Sequence, residues 1–247
     1  MPLSNEEAQA IVRENAELLR PHVVALQVLR EDDPTPSGIA TGGTGVLLEI
    51  DGNRLLLTAQ HVLEALRRDH HVGILGGNDS APASISSWQL IDEEKAIDIG
   101  TLSVPPGFDP TPLGKRFLTQ FAWPPRRAAE GEATLFLGYP GVHREIMEGG
   151  VVNHIAVWRD FVVSSSNRHF IVADEEGQRV VHEYTPGLAE LGPTGGMSGA
   201  PVFAEREGQL VLVGVNHEAD DGTAATFFAT HCDFVRADGT IDRTRPM

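Results

Sequence analysis

Beyond Pro21 the chain breaks into thirteen short β-branched and apolar runs, at 22–29, 45–50, 54–58, 72–75, 84–90, 99–104, 133–138, 151–158, 169–173, 179–184, 201–204, 210–216 and 225–230. Gly, Pro, Asn and Asp clusters separate them, the punctuation of an all-β fold. Asp51-Gly52 between two runs is a hairpin signal. A Pro-, Gly- and Thr-rich stretch over 105–125 leaves about six strands on either side. With no short internal repeat, solenoids and propellers are disfavoured, and two small barrels or a sandwich remain.

Only the opening of the chain reads as helix. Ser4 and Glu7 form a capping box, and Ala8, Ile11, Val12, Asn15, Ala16 and Leu19 recur at helical spacing, so one amphipathic helix is expected over 1–20. The expected organisation is that helix, a first β unit over 21–110, a connection over 111–130 and a second β unit over 131–247.

Composition excludes several function classes. Lys and Arg number 19 against 35 Asp and Glu, a net charge of −16, and no basic stripe is present, so neither nucleic acid nor an anionic membrane is an expected partner. Cys232 is the single cysteine and allows no internal disulfide, which fits a reducing compartment. The first residues, Met1-Pro2-Leu3-Ser4-Asn5-Glu6-Glu7, are acidic and polar, unlike a secretory signal, and a cytoplasmic location is expected. His70-His71 and His231-Cys232 lack the paired spacing of a zinc site, so no metal or other cofactor is expected.

Three segments carry chemistry. In Thr58-Ala59-Gln60-His61-Val62 a histidine stands where the apolar run 54–58 ends, held by a rigid element yet facing a cleft, as a proton shuttle must be. In Ile97-Asp98-Ile99-Gly100 a carboxylate between isoleucines needs a partner, and a histidine N–H would satisfy it while orienting the ring. Gly195-Gly196-Met197-Ser198-Gly199-Ala200-Pro201 surrounds one serine with small residues. Such a loop lets the N–H groups of Gly196 and Ser198 point together at a developing oxyanion while Ser198 Oγ attacks.

Taken in chain order, these segments resemble the trypsin-like, chymotrypsin-fold serine peptidases. Thr58-Ala59-Gln60-His61 is similar to the family's Thr-Ala-Ala-His block, Asp98-Ile99-Gly100 to its Asp-Ile-Ala, and Gly196-Met197-Ser198-Gly199-Ala200-Pro201 to its Gly-Asp-Ser-Gly-Gly-Pro. Gly138-Tyr139-Pro140-Gly141 and the Pro201-Val202-Phe203 strand start resemble the disulfide-free bacterial branch that includes glutamyl endopeptidases. The resemblance implies two six-stranded antiparallel barrels. It also implies a serine endopeptidase with His61 as base and acid, Asp98 as orienting carboxylate, Ser198 as nucleophile and the amides of Gly196 and Ser198 as oxyanion hole.

The resemblance places Gly192, Pro193 and Thr194 along one wall of the specificity pocket and Asn216 and His217 along another. The partners it implies are protein or peptide substrates. Met197 replaces the aspartate that pairs with a freshly cut amino terminus, so zymogen activation by that route is not open to this chain, and a regulatory protein partner is the expected alternative. Two other readings compete: a catalytically idle binding module of the same fold, and an α/β-hydrolase esterase. The esterase needs Asp and His after the serine on a parallel sheet, and the order here is the reverse.

Overall fold

A computed structural model of the protein describes residues 5–30, 39–67, 71–76, 83–120, 122–141, 144–147, 150–173, 180–183, 195–220 and 226–246. Helix α1, Asn5–Leu19, buries Val12, Ala16 and Leu19 at i, i+4, i+7 and leaves Leu18 in solvent. It ends at Leu19, two residues before the anticipated stop at Pro21. That proline sits inside a single 3-10 turn, Arg20–His22, so His22 precedes the first strand instead of opening it.

Strands β1 (Val23–Arg30), β2 (Ile39–Ile50), β3 (Asn53–Thr58), β4 (His71–Gly76), β5 (Ala83–Ser84), β6 (Gln89–Glu94), β7 (Ile99–Ser103) and β8 (Leu118–Thr119) form the first sheet. Its order is β5-β4-β1-β2-β3-β7-β6, with β8 parallel to β2. Among the described residues it does not close, where a six-stranded barrel was expected. The run over 84–90 is interrupted by a turn in which the Trp88 N–H donates to Ile85 O at 2.9 Å, leaving β5 two residues long and unpaired with β6.

The second half does close. Strands β9 (Ala133–Gly138), β12 (Ala156–Ser165), β13 (His169–Ala173), β15 (Pro201–Arg206), β16 (Gln209–Asp220) and β17 (Thr226–His231) make a ring, β13-β17-β16-β15-β9-β12, in which β12 pairs back onto β13. Strand β14 (Val180–Glu183) joins β12 outside the ring, and β10 (Arg144–Met147) and β11 (Gly150–Asn153) form a separate hairpin. The run over 151–158 is therefore two elements. Ser164 and Ser165, which lie between the runs 151–158 and 169–173 read from sequence, complete β12.

Period-two alternation explains how one chain fills three layers of core. On β9, Leu135 and Leu137 face a central cluster while Phe136 points into the closed barrel with Trp158, Phe170 and Phe227. On β2, Val46, Leu48 and Ile50 face the same central cluster while Leu47, on the opposite face, is buried in a third cluster with Val62, Leu63 and Trp88. The central cluster also takes Val12, Ala16 and Leu19 of α1, so both sheets and the helix share one apolar body. That shared body fixes the two sheets against each other, which is what a site assembled from both requires.

Candidate active site

Strand β3 ends at Thr58, Ala59 stays extended, and Gln60–Leu66 forms helix α2. His61 therefore stands in the first turn of a short helix and not on a strand end. Val62, Leu63 and Ala65 are buried beneath it, while its own side chain is 48% exposed, so the ring is open to an approaching molecule.

Asp98 likewise lies just outside a strand, in the turn between β6 and β7. Its φ of +49° is a left-handed conformation that aspartate tolerates better than most residues. The turn aims its carboxylate at α2. Asp98 Oδ1 accepts the His61 backbone N–H at 2.9 Å and Oδ2 accepts the ring Nδ1–H at 2.7 Å. With the proton held on Nδ1, Nε2 carries a free lone pair directed away from Asp98.

The two groups shift each other. The hydrogen bond to Asp98 raises the His61 pKa above the ordinary imidazole value, outweighing the burial that would lower it. Burial pushes the Asp98 carboxyl up, but the side-chain and backbone hydrogen bonds from His61 more than offset this and leave it below the usual carboxylate range. A base that gains a proton readily and a carboxylate that stays ionised beside it are suited to taking up and returning one proton.

A cluster of acids and arginines fixes the hairpin that carries Asp98. Asp92-Glu93-Glu94, which reads in sequence as an acidic loop, is strand β6. Glu93 takes both terminal nitrogens of Arg67 at 2.7 and 2.8 Å, and Gln60 Nε2 donates to it at 3.4 Å, stitching the hairpin to α2. Arg243, from the C-terminal segment, donates to both Asp92 oxygens at 2.8 Å and to Glu94 at 2.9 Å, and the guanidinium holds the Asp92 pKa down at about 2.

Ser198 arrives from the second half on the turn before β15. Its carbonyl accepts the Thr44 N–H at 2.7 Å, and a Cβ on Gly43 would lie 3.0 Å from that carbonyl oxygen and 2.8 Å from Val62, the residue after His61. Two glycines make this docking possible. A Cβ on Gly199, at φ +87°, would lie 1.9 Å from Thr44 O and 2.1 Å from Thr58 Oγ1. One on Gly196, at φ +98°, would lie 2.6 Å from Tyr139 O. No L side chain fits either place.

Of the other residues singled out from sequence, Gly192, Pro193 and Thr194 lie outside the described residues. Asn216, expected along a pocket wall, is 1% exposed and donates through Nδ2 to Met197 O at 3.1 Å. His217 faces His169, ring centroids 4.9 Å apart, and lies close enough to feel the charges of Asp98 and His61. Burial, then repulsion from His169, lowers its pKa to about 4, so the ring is neutral. Among the described residues no group of three His, Cys, Asp or Glu converges as a metal site. Cys232 is buried, and burial raises its thiol pKa well above the ordinary value.

Sequence reading gave Thr44 no role and carried Tyr139 only within the Gly138-Tyr139-Pro140-Gly141 motif. Thr44 accepts from the Tyr139 N–H at 3.0 Å and donates to Gly196 O at 2.9 Å, while its carbonyl accepts from Thr58 Oγ1 at 2.7 Å. The only sequence cue was the Thr-Gly-Gly-Thr-Gly run ahead of the second strand.

Comparison with known proteins identifies one family. The profile of the trypsin-like peptidase domain matches residues 43–215, a span that includes His61, Asp98 and Ser198. No curated protein matches the chain. A solved structure from work on aromatic interactions in the coupled folding and binding of the intrinsically disordered Sesbania mosaic virus VPg protein is similar over 87% of this chain and 91% of that one. The identity there is 15% and the TM-score 0.47.

Proposed function

The chain belongs to the trypsin-like peptidase family, and from that premise we propose that it is a serine endopeptidase working through an acyl-enzyme on Ser198. The observation that carries this reading is the bidentate clasp of Asp98 on His61, at 2.9 and 2.7 Å, beside a serine loop docked on β2, the neighbour of the strand that leads to His61. The branch within the family is proposed as the disulfide-free bacterial one, and the location as cytoplasmic.

Ser198 Oγ attacks the peptide carbonyl carbon as its proton passes to His61 Nε2. The carbonyl electron pair moves onto oxygen and is received by the N–H groups of Gly196 and Ser198. The intermediate then collapses: the C–N bond breaks and His61 returns its proton to the leaving amine. Water repeats the sequence, giving a proton to His61 as it attacks the ester, and Ser198 recovers that proton on release of the acid. Asp98 stays ionised throughout, compensating the imidazolium that forms twice.

A fluorophosphonate probe, read by peptide mass spectrometry, tests this without knowledge of the natural substrate. The parent is expected to carry the adduct on Ser198, Ser198→Ala to carry none, and His61→Ala to react far more slowly. A folded parent protein that remains unlabelled would overturn the assignment.

A further inference from the structure

We propose that Asn216 is a positioning residue that aims the Ser198 N–H at the oxyanion. The inference rests on the peptidase reading above and deepens it. In a trans peptide the C=O and N–H point in opposite directions, so fixing a carbonyl from behind aims the amide in front. The Ser198 N–H belongs to the peptide whose carbonyl is Met197 O. That oxygen is held by Asn216 Nδ2 at 3.1 Å and by the Ala200 N–H at 2.9 Å. The companion amide, Gly196 N–H, is treated the same way: its peptide's carbonyl, Gly195 O, accepts the Gly141 N–H at 2.5 Å.

Among these clamps only the one from Asn216 is a side chain, so only it is open to substitution without disturbing the backbone ladder. Asn216 sits on β16, its main chain tied on both sides to the loop: its N–H donates to Ala200 O at 2.8 Å and its O accepts the Gly199 N–H at 2.7 Å. Its side chain is thereby fixed under Met197. The amide orientation follows from chemistry, since a carbonyl oxygen accepts only from the NH2 end.

That choice leaves Asn216 Oδ1 buried with no hydrogen-bond partner among the described residues. A buried polar atom without a partner is a burden that an apolar residue at this place would not carry. Met197 itself fills an apolar slot against Gly138 and Ala200, so its side chain anchors the loop, and the asparagine is what sets the rotation of the peptide.

The test compares the parent with Asn216→Leu, which keeps the size but donates nothing, and Asn216→Asp, which keeps the shape and turns an oxygen toward Met197 O. Fluorophosphonate labelling is followed at several probe concentrations, separating the limiting rate from the half-saturating concentration, and across pH. The limiting rate is expected to fall about 10²-fold in both variants, the scale on which loss of one oxyanion donor acts. Half-saturation and the pH midpoint set by His61 are expected to stay with the parent.

Labelling of both variants within about threefold of the parent would overturn the inference and leave the peptidase reading intact. So would a slowing accompanied by a shifted pH midpoint, because that marks general distortion of the site. An unlabelled parent would instead remove the peptidase reading on which the inference stands.

Discussion

His61 and Asp98 come from the open sheet and hold each other through a charged hydrogen bond, with the ionised chains of Glu93, Arg67, Asp92 and Arg243 packed around their hairpin. Ser198 comes with the closed barrel, and every hydrogen bond described for residues 195–200 joins neutral groups: main-chain amides, Thr44 and Asn216. In the proposed mechanism the proton-moving half changes charge during turnover, and the hydrogen bond from Asp98 raises the pKa at which it does so. The oxyanion-receiving half has only to keep its shape, and neutral clamps hold shape independently of pH and salt. Substitutions in the first half should therefore act on proton transfer, and those in the second on geometry or folding.

The largest expected effect comes from Asp98→Asn. An amide there donates to His61 Nδ1, forcing the ring proton onto Nε2, where it blocks uptake of the serine proton. The serine loop makes no described bond to Asp98 and should remain in place. Hydrolysis is expected to fall about 10⁴-fold in kcat, with the thermal unfolding midpoint little changed, as measured by turnover of a peptide pool and calorimetry. An undiminished rate would show that the clasp seen here is not part of the mechanism.

Gly199→Ala strikes the other half through shape. Its Cβ would fall 1.9 Å from Thr44 O in a left-handed residue, so the loop must move off β2 or the sheets must part. A cost of about 3 kcal/mol or more is expected, appearing as a drop in the urea midpoint together with loss of Ser198 labelling. Retention of both by the variant would break the claim that this half depends on close backbone approach.

pH separates the halves again. As the proposed base His61 works only when neutral, and Asp98 raises its pKa above 6.5, so activity should fall as pH drops through that raised value, about tenfold per unit below it. The limb should steepen no further, since the loop that receives the oxyanion holds no titrating group among its described bonds. In the Glu93→Gln variant the limb should move little, because Glu93 fixes the helix position through Arg67 and Gln60, while the charges that raise the His61 pKa are those of Asp98 and Glu64. A profile flat down to pH 5 would contradict the raised imidazole.

What could be read from the sequence follows the same division. The histidine, aspartate and serine stand in short segments with distinctive neighbours, and the alternation of apolar residues marked most strands. Three things escaped. The acidic stretch over 92–94 reads as loop because charge argues against a strand, until Arg67 and Arg243 arrive from distant positions to neutralise it. His61 was expected on a strand end because two turns of helix over 60–66 are too short to show a period. The clamps on the serine loop are threonine, asparagine and main-chain groups whose role exists only once both sheets are assembled, so the sequence offers Thr44 only within a glycine-rich run and Asn216 only as an expected pocket wall, where it is instead buried.

The smallest effect expected is one of stability, at the seam between the halves. Lys115 is 5% exposed, with Nζ donating to Tyr139 OH at 2.8 Å and to Arg20 O at 3.1 Å, and burial lowers its pKa to about 7. Between that value and the unfolded lysine range near 10.4, the unfolded chain binds a proton that the folded chain has released, so stability should rise with pH by at most about 1.4 kcal/mol per unit. Above about pH 8.5 the buried Cys232 opposes this, because its raised pKa keeps a proton on the folded state that the unfolded chain loses. His61, with its raised pKa, also loses a stabilising contribution as pH rises past its folded value. The difference between parent and Lys115→Met isolates the lysine: urea unfolding at pH 7.0 and 8.5 should give a positive slope in the parent that the variant lacks. Equal slopes in the two proteins would mean that Lys115 keeps its charge in the folded state, and that the seam next to Tyr139 and the serine loop is not the neutral environment its hydrogen bonds describe.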